Sequence, residues 1–451
     1  MNIFTREASL EQEPIVIRKP APVTIAEIGV DPALLMQLLV KHLSDGDVLT
    51  LSELSQRLAL RAVLVQQLLD EAKQTALVEN RQASHTGQMR YSLSRQGRDA
   101  AQMYFATSGY LGPTPVPLAQ FADQVRAQSS RQQQVTRDDF IKALEGMVIP
   151  GDLVEQLGPA LNSRRPLLIY GPAGTGKSYI CSRLNQIFED DVLIPHAICV
   201  GHAIIPVFDP QLHCLMGKVA EEELNVLAAD DDLRWYRCHR PALIVGGELT
   251  ADMLDIQFDT KNRTYQAPIG LKATNGILLI DDLGRQSITP KQILNRWILP
   301  LEEGRDFLSL PSGEHFEVPF EQLLLFSTNL SPTELVDPAF LRRLGYKIHF
   351  GALEPHEYWE IWQQNCRTAE LEEANGIREW LLNERYRLSA TPMLPCHPRD
   401  LLAIVIDRIR YNQLPNLITQ ELLEHAWDMY FVHDDRQFTQ MPDAQVSGED
   451  K

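Results

Sequence analysis

An eight-residue segment with the spacing G-x-x-x-x-G-K-S constrains this chain more than any other feature. It consists of Gly171, Pro172, Ala173, Gly174, Thr175, Gly176, Lys177 and Ser178. The apolar run Leu167–Tyr170 precedes it, and residues 179–188 continue with helical character. Glycine lets the backbone turn so that successive N–H groups point at one centre, and the helix that follows adds partial positive charge there. This order predicts a phosphate-binding loop.

The last two residues of the loop indicate the ligand. In such loops the lysine contacts the β- and γ-phosphates, and the serine hydroxyl binds Mg²⁺. We therefore expect Lys177 and Ser178 to take these two positions. The chain is predicted to bind a nucleoside triphosphate.

Size and charge limit the remaining possibilities. The chain has 451 residues, enough for two or three domains, and a formal net charge of −18 that repels nucleic acid and anionic membranes. Residues 1–20 lack the apolar core of a signal peptide, and no apolar run is long enough to span a membrane. The six cysteines include no C-x-x-C pair. We expect a cytoplasmic protein with reduced thiols and without membrane insertion.

Residues 22–108 form the first predicted domain. Three helix-like stretches are followed by two extended segments, 77–81 and 88–93, and by a further helix. Three helices and a hairpin resemble a winged helix-turn-helix domain. Residues 31–100 contain eight Lys/Arg and eight Asp/Glu, and a DNA-reading surface needs an excess of cations. The charge balance favours protein docking over DNA binding.

The rest of the chain divides by its periodicity. Residues 109–135 carry several prolines and a Gln/Ser-rich stretch, which predicts a linker. In residues 136–352 strands alternate with helices, which predicts a parallel α/β sheet. Residues 353–435 have only helical periodicity, and the polar residues 436–451 are predicted to form a disordered tail.

Two apolar strands of the predicted sheet end in polar residues. Ile277–Ile280 is followed by Asp281 and Asp282, and Leu323–Thr328 is followed by Asn329. The first carboxylate can hold Mg²⁺ through water, and the second can orient the attacking water. Asn329 could hydrogen-bond the γ-phosphate or that water.

Two arginine-containing segments complete a series of five motifs. Residues 337–343 include Arg342 and Arg343, and residues 397–401 include Arg399. In this order and spacing the five motifs resemble the AAA+ ATPases over about residues 136–435. The resemblance implies that Asp281 and Asp282 form the Walker B motif and that Asn329 is sensor 1.

The same resemblance implies roles for the arginines. Arg342 or Arg343 would be the finger donated to a neighbouring subunit, and Arg399 would be sensor 2 in an all-helical lid. ATP and Mg²⁺ are the expected ligands, ATP hydrolysis is the expected reaction, and a homo-oligomeric ring, with six subunits, is the expected assembly. The family usually has Glu where Asp282 stands, and the shorter side chain implies slow hydrolysis.

Two further segments resemble one branch of the family. Residues 305–318 have a hairpin pattern around Pro311, Ser312 and Gly313, as in the pre-sensor-1 hairpin of the bacterial MoxR-like clade. The segment from Gly246 to Pro268 is similar to that clade as well.

Three functions are consistent with these motifs. The first is a chaperone-like ring ATPase that remodels or assembles a protein client recruited by the N-terminal domain. The second is a DNA-linked ATPase, a loader or transcription-associated switch, that holds duplex with the winged helix. The third is a slowly hydrolysing switch that signals through assembly.

His196, Cys199 and His202 lie three apart, but residues three apart on a strand face opposite sides, so we expect no zinc site.

Overall fold

The computed structural model describes residues 19–81, 89–130, 133–188, 190–216, 230–335 and 338–431. These residues form two compact units. The described parts of Met1–Glu145, Val154–Tyr170 and Ser178–His349 make up the first, and those of Gly146–Leu153, Gly171–Lys177 and Phe350–Lys451 make up the second. Residues 82–87 between the two predicted extended segments, Asp337 of the arginine motif and the predicted tail at 436–451 lie outside the described residues.

The first unit begins with helices around a three-stranded antiparallel sheet of order β1-β3-β2. Thr50 caps the third helix in a capping box with Glu53, as the spacing of the two residues predicts. The predicted order of three helices and a hairpin is present, with the short strand β1 in addition. The elements are α1 (Ile25–Ile28), α2 (Pro32–Gly46), β1 (Val48–Thr50), α3 (Leu51–Leu58), α4 (Ala62–Gln74), β2 (Val78–Arg81), β3 (Arg90–Leu93) and α5 (Arg95–Thr107).

The segment 109–135 is not a linker, and this prediction is wrong for its described residues. It contains β4 (Val116–Pro117) and α6 (Leu118–Ala127). Val116, Phe121 and Val125 are at most 2% exposed. Phe121 and Val125 are four residues apart on α6, which is the spacing of one helix face, so the apolar period outweighs the turn preference of the prolines before the helix. The segment is part of the core of the first unit.

The N-terminal helices share this unit with the α/β region. Apolar residues of β7 (Ala197–Val200) and β8 (Ala203–Pro206) lie in the same buried cluster as α2 to α5. The N–H of Gly109 donates to the carbonyl of Arg263 at 2.9 Å, and the N–H of Thr114 donates to Leu58 at 2.9 Å. The N-terminal domain is therefore docked on the α/β region by backbone hydrogen bonds and a common core.

A buried lysine lies in this docked region. Lys41 on α2 is 2% exposed, and its Nζ donates to the carbonyl of Tyr110 at 2.5 Å. The ammonium also lies 5.2 Å from the ring centroid of Phe105. Burial disfavours the charged form and lowers the pKa of Lys41 from 10.5 to about 8.

The lowered pKa of Lys41 should make the free energy of unfolding depend on pH. Above about pH 8 the folded chain releases the Lys41 proton, whereas the unfolded chain keeps it up to about pH 10.5. The unfolded state then binds more protons, so the free energy of unfolding should rise with pH in this window, relative to Lys41→Met. Denaturant unfolding of both proteins from about pH 7 to pH 10 measures the difference. Lys261→Met, at an exposed position, is the control, and a flat difference across the window would contradict the assignment.

The centre of the first unit is a five-stranded parallel sheet of order β10-β13-β16-β5-β17. Its middle strands are continuous apolar runs, as expected for parallel strands covered on both faces. The α/β prediction is confirmed. The strands are, in this order, Ala242–Val245, Ile277–Ile280, Leu323–Thr328, Leu167–Tyr170 and Tyr346–His349.

The other elements of the α/β region include two hairpins and several helices. The predicted hairpin at 305–318 is present, and Ser309 pairs with His315 beside its turn. Phe258 and Tyr265 pair across another hairpin at a ring distance of 4.9 Å. The remaining strands are β6 (Asp191–Pro195), β9 (Trp235–His239), β11 (Gln257–Asp259), β12 (Thr264–Gln266), β14 (Arg305–Ser309) and β15 (His315–Pro319). The helices are α7 (Arg137–Ala143), α8 (Gly151–Ser163), α9 (Lys177–Arg183), α10 (Ile269–Lys272), α11 (Pro290–Glu303), α12 (Pro332–Leu335) and α13 (Pro338–Leu341), with short 3₁₀ helices at Leu184–Ile187 and Ala251–Leu254.

The second unit has mainly helical elements, in agreement with its predicted periodicity. Tyr358, Trp362 and Trp427 are buried in its core. Two short parallel strands, β18 (Glu372–Glu373) and β19 (Leu417–Ile418), are additional to the predicted helices. The helices are α14 (Pro355–Thr368), α15 (Ile377–Trp380), a π-helix at Leu381–Arg387, α16 (Cys396–Asn412) and α17 (Gln420–Tyr430). In the described parts of the chain, none of the helices has the length and apolar character that crossing a membrane requires.

Candidate nucleotide-binding site

The phosphate loop leaves β5 directly and has the backbone that its glycines predict. Gly171, Gly174 and Gly176 have φ values of 147°, 83° and 82°, which side chains other than glycine rarely adopt. A Cβ on Gly171 would also lie 2.0 Å from the carbonyl oxygen of Phe350. Alternation of such residues with ordinary ones turns backbone N–H groups toward one concave side, which suits an anion.

Lys177 is held inside this loop. It is 5% exposed, and its Nζ donates to the carbonyl oxygens of Gly171 at 2.9 Å and Pro172 at 2.7 Å. The Thr175 hydroxyl donates to Pro172 at 2.9 Å. Ser178, the next residue on α9, is exposed. The loop thus orients its ammonium group with its own carbonyls, which phosphate oxygens would replace.

The structure brings together two of the predicted site residues at the carboxyl edge of the sheet. Asn329 follows β16, Asp282 follows β13, and the Asn329 amide Nδ2 donates to Asp282 Oδ1 at 2.7 Å. Two bonds join the same strand ends, from the Leu283 N–H to Ser327 at 2.7 Å and from the Thr328 hydroxyl to Leu283 at 2.8 Å. Asp282 has a left-handed φ of 50°, which Asp tolerates better than most residues.

Asp281 has the environment of a cation-associated carboxylate. Its N–H continues the ladder by donating to Val245 at 2.8 Å. Its Oδ1 is buried without a hydrogen-bond partner among the described residues. A buried carboxylate oxygen needs a donor or a cation, and Mg²⁺ prefers carboxylate oxygen and water. Asp281 and the Ser178 hydroxyl are the residues that could hold Mg²⁺.

The histidines and cysteines outside this edge have structural contacts. His196 Nδ1 lies 3.0 Å from the Tyr110 hydroxyl, and Cys199 is buried in the cluster with α2 to α5. His213 accepts the N–H of Asp209 at Nδ1, at 2.8 Å, so its Nε2 donates to Lys272 at 2.8 Å. Within the described ranges, no group of three or more His, Cys, Asp or Glu residues could hold a metal ion.

Arg342 and Arg343 lie at the opposite, amino edge of the sheet. They precede β17, whose first residue Tyr346 pairs with Leu167, the first residue of β5. A strand of four residues is about 13 Å long, so the sheet separates these arginines from the acids of the same chain. Arg343 forms an ion pair with Glu302 at 2.7 Å.

Arg342 faces a cleft of about 510 Å³ that Arg164 and Arg165 also line. Arg342 is exposed, and among the described residues it forms no ion pair. Arg342 is therefore the more accessible of the two candidate fingers.

Arg399 lies near the phosphate loop within the second unit. The N–H of Cys396, at the start of α16, donates to the carbonyl of Gly174 at 3.3 Å. Residues three apart share a helix face, so Arg399 lies on the face of α16 that carries Cys396. Its side chain is 73% exposed and pairs with Asp400 at 2.9 Å.

Glu248 is a carboxylate at the carboxyl edge of the sheet that the sequence analysis did not predict as a site residue. Its Oε1 accepts the N–H of Gly246 at 2.9 Å, immediately after β10. That bond lowers the pKa of Glu248, while the charge of Asp281 opposes the shift. The signal available in the sequence was an acid three residues beyond the end of an apolar strand.

Comparison of the sequence with known protein families and curated proteins does not assign a function to this site. Residues 354–429 match a family described as a domain of unknown function, DUF8689. No curated protein matches the chain.

Solved structures with some likeness include RuvB from Thermotoga maritima. One RuvB mutant has 13% identity and a TM-score of 0.35, over 64% of this chain and 73% of that one. NtrX from Brucella abortus has 9% identity and a TM-score of 0.36, over 80% of this chain and 62% of that one. The Holliday junction branch migration motor form of RuvB has 12% identity and a TM-score of 0.33, over 65% of this chain and 70% of that one. At these TM-scores the likeness carries no argument about this chain.

Proposed function

We propose that this chain is an AAA+ ATPase that binds and hydrolyses ATP in a homo-oligomeric ring. The observation that carries the proposal is the hydrogen bond from Asn329 to Asp282 at the carboxyl edge of the sheet. It joins the residues that would contact the γ-phosphate and the attacking water. The phosphate loop directly follows β5, a strand of the same sheet, in the chain. The hairpin β14–β15 supports assignment to the MoxR-like clade.

Each residue has one part in the proposed reaction. The N–H groups of the loop and Lys177 bind the β- and γ-phosphates, and Ser178 and Asp281 hold Mg²⁺, which neutralises charge on the phosphates when it is bound. Asp282 and Asn329 orient water at the γ-phosphate. Arg399 senses the nucleotide from the lid. Each group acts by position and charge, which are the main contributions to phosphoryl transfer.

Hydrolysis would require a second copy of the chain. Arg342 and Arg343 lie at the amino edge of the sheet, whereas Asp281 and Asp282 follow its carboxyl edge. An arginine on the amino edge can stabilise the transition state only in a neighbour, where it can approach the γ-phosphate from outside. A closed ring, with six subunits as our proposal, gives every site such a neighbour.

For the N-terminal domain we propose protein docking. Several of its cations are paired with acids: Arg57 with Asp45 at 2.7 Å, and Lys73 with Asp70 at 3.1 Å. Paired cations contribute less to phosphate binding, and the whole chain carries −18. The proposed role is remodelling of a protein client in the cytoplasm. DNA binding and slow nucleotide-switched assembly are the competing roles.

Light scattering and turnover assays on the full chain, with the trapping variant Asp282→Asn, test this function. We expect ATP-dependent oligomers of both proteins, with hydrolysis in the wild type and little in Asp282→Asn. Activity that rises with duplex DNA and falls steeply with salt would favour the DNA-linked role. Assembly with negligible wild-type turnover would favour the switch, and absence of ATP-dependent assembly would contradict the ring.

A further inference from the structure

The middle glycine of the phosphate loop is covered by the first turn of α16. Gly174 has a φ of 83°, and its carbonyl oxygen accepts the Cys396 N–H at 3.3 Å. A Cβ on Gly174 would lie 2.4 Å from the Cys396 sulfur and 3.7 Å from Leu394 Cδ1. The sulfur is therefore packed directly on the glycine. The loop residues 171–177 and α16 belong to the same compact unit, the second.

Hydrogen bonds fix the direction of the Cys396 side chain. Its sulfur lies 3.6 Å from the Tyr430 hydroxyl, which donates to Asp400 Oδ2 at 3.1 Å. Because the hydroxyl proton of Tyr430 is used on Asp400, the thiol donates and the Tyr430 oxygen accepts. Burial raises the pKa of the Cys396 thiol, which keeps it a neutral donor. A rotation of the sulfur away from Gly174 would break this bond.

The first turn of α16 is anchored in the core of the second unit. The helix begins at Cys396, whose N–H is bonded to Gly174. His397, the next residue, is 3% exposed, and its Nδ1 lies 3.1 Å from the hydroxyl of the buried Tyr386. The backbone of residue 396 is thus held in place. A side chain larger than cysteine at this position would press on Gly174, and a smaller one would leave the glycine uncovered.

We propose that Cys396 is a positioning residue of the phosphate loop, whose N–H and sulfur hold Gly174 in the conformation that binds the nucleotide. This inference rests on the ATP binding proposed above. The N–H groups of such a loop converge on an anion only while its left-handed residues keep their positive φ values. Cys396 acts through the glycine and does not contact the nucleotide itself. The size of the side chain at position 396 therefore sets the affinity for ATP.

Calorimetric titration of ATP with Mg²⁺ on full-chain variants tests this role. Cys396→Leu adds volume against Gly174, and overpacking of this kind should raise the Kd for ATP about 10-fold or more. Cys396→Ser keeps a small side chain with a donor, so its Kd should stay within about threefold of the wild-type value. Cys214→Leu, at an exposed cysteine of the first unit, is the matched control and should bind ATP like the wild type.

A double variant separates this contact from a general loss of stability. In Gly174→Ala the new Cβ would meet the Cys396 sulfur at a φ that alanine rarely adopts, so the Kd for ATP should rise about 10-fold or more. Without the sulfur the nearest atom is the Cβ of residue 396 at 3.5 Å, an ordinary van der Waals distance. Addition of Cys396→Ala should therefore restore about fivefold of the lost affinity, although the same change removes a contact from the wild-type chain. Two independent structural losses would add instead.

The outcomes separate the two proposals. If the wild type binds ATP and a folded Cys396→Leu protein binds it within about twofold, Cys396 does not position the loop and the ATPase proposal stands. The same conclusion follows if the double variant binds ATP no better than Gly174→Ala, and this comparison decides the matter where Cys396→Leu does not fold. If the wild type binds ATP no more tightly than Lys177→Ala, the proposed nucleotide binding is contradicted and the role of Cys396 with it.

Discussion

Replacement of Lys177 by alanine is expected to lower the affinity for ATP by about 100-fold or more. Hydrogen bonds to charged groups contribute about 1.5–3 kcal/mol each. Lys177 is expected to contact two phosphates, so the Lys177→Ala variant loses two such hydrogen bonds. A loss of about 3 kcal/mol corresponds to more than about 100-fold in Kd. The buried ammonium also fixes the loop through Gly171 and Pro172, so its removal should disorder the loop as well.

Calorimetric titration of ATP in the presence of Mg²⁺ measures this effect. Lys291→Ala, at an exposed position on α11, removes one positive charge far along the chain from the loop and should bind ATP like the wild type. Circular dichroism must show that Lys177→Ala is folded. A folded Lys177→Ala protein with near-normal affinity would exclude the phosphate-loop assignment.

Replacement of Arg342 by alanine should reduce kcat by about 10³-fold and leave ATP binding intact, because an arginine finger stabilises only the transition state. Arg343→Ala should have a smaller effect, since Arg343 is paired with Glu302 at 2.7 Å. Steady-state kinetics and nucleotide titration on each variant separate kcat from affinity. Arg367→Ala, an exposed arginine on α14, controls for the loss of charge.

A mixing experiment decides whether the finger acts in trans. Lys177→Ala subunits keep Arg342 but should bind ATP too weakly to hydrolyse it, so they should complete the sites of Arg342→Ala subunits. Mixtures should then recover part of the activity that neither variant has alone. If mixed oligomers are demonstrated and no activity returns, a site shared between subunits is refuted.

The sequence was most informative where local chemistry determines structure. The phosphate loop needs positive φ values that glycine adopts readily and other residues rarely do, so its glycines indicated the loop conformation. Apolar strands ending in Asp281, Asp282 and Asn329 indicated polar side chains at strand ends of a parallel sheet. The pattern places these side chains at one edge because parallel strands share a direction. The contact between Asp282 and Asn329 also requires β13 and β16 to be neighbours, which the structure supplies.

Features that depend on distant contacts were not accessible from the pattern. Residues 109–135 look like a linker because prolines and glutamines dominate locally, yet Phe121 is buried against partners far away in the chain. Glu248 is similar: its place near Asp281 depends on the position of β10 beside β13, and strand order cannot be obtained from one sequence. The amino-edge position of Arg342 also required the pairing of β17 with β5.

The fixed docking of the N-terminal domain has a consequence for how a ring would hold its client. A binding module on a flexible tether explores a large volume, and its effective concentration near a second site depends on tether length. Here the Gly109 N–H is hydrogen-bonded to the Arg263 carbonyl, and a Cβ at Gly109 would lie 1.7 Å from the carbonyl oxygen of Asn262. The two backbones are therefore in direct contact at this point, without a flexible tether. In a ring the spacing between client-binding surfaces would be set by subunit geometry. Avidity would then select clients whose repeated features match that spacing.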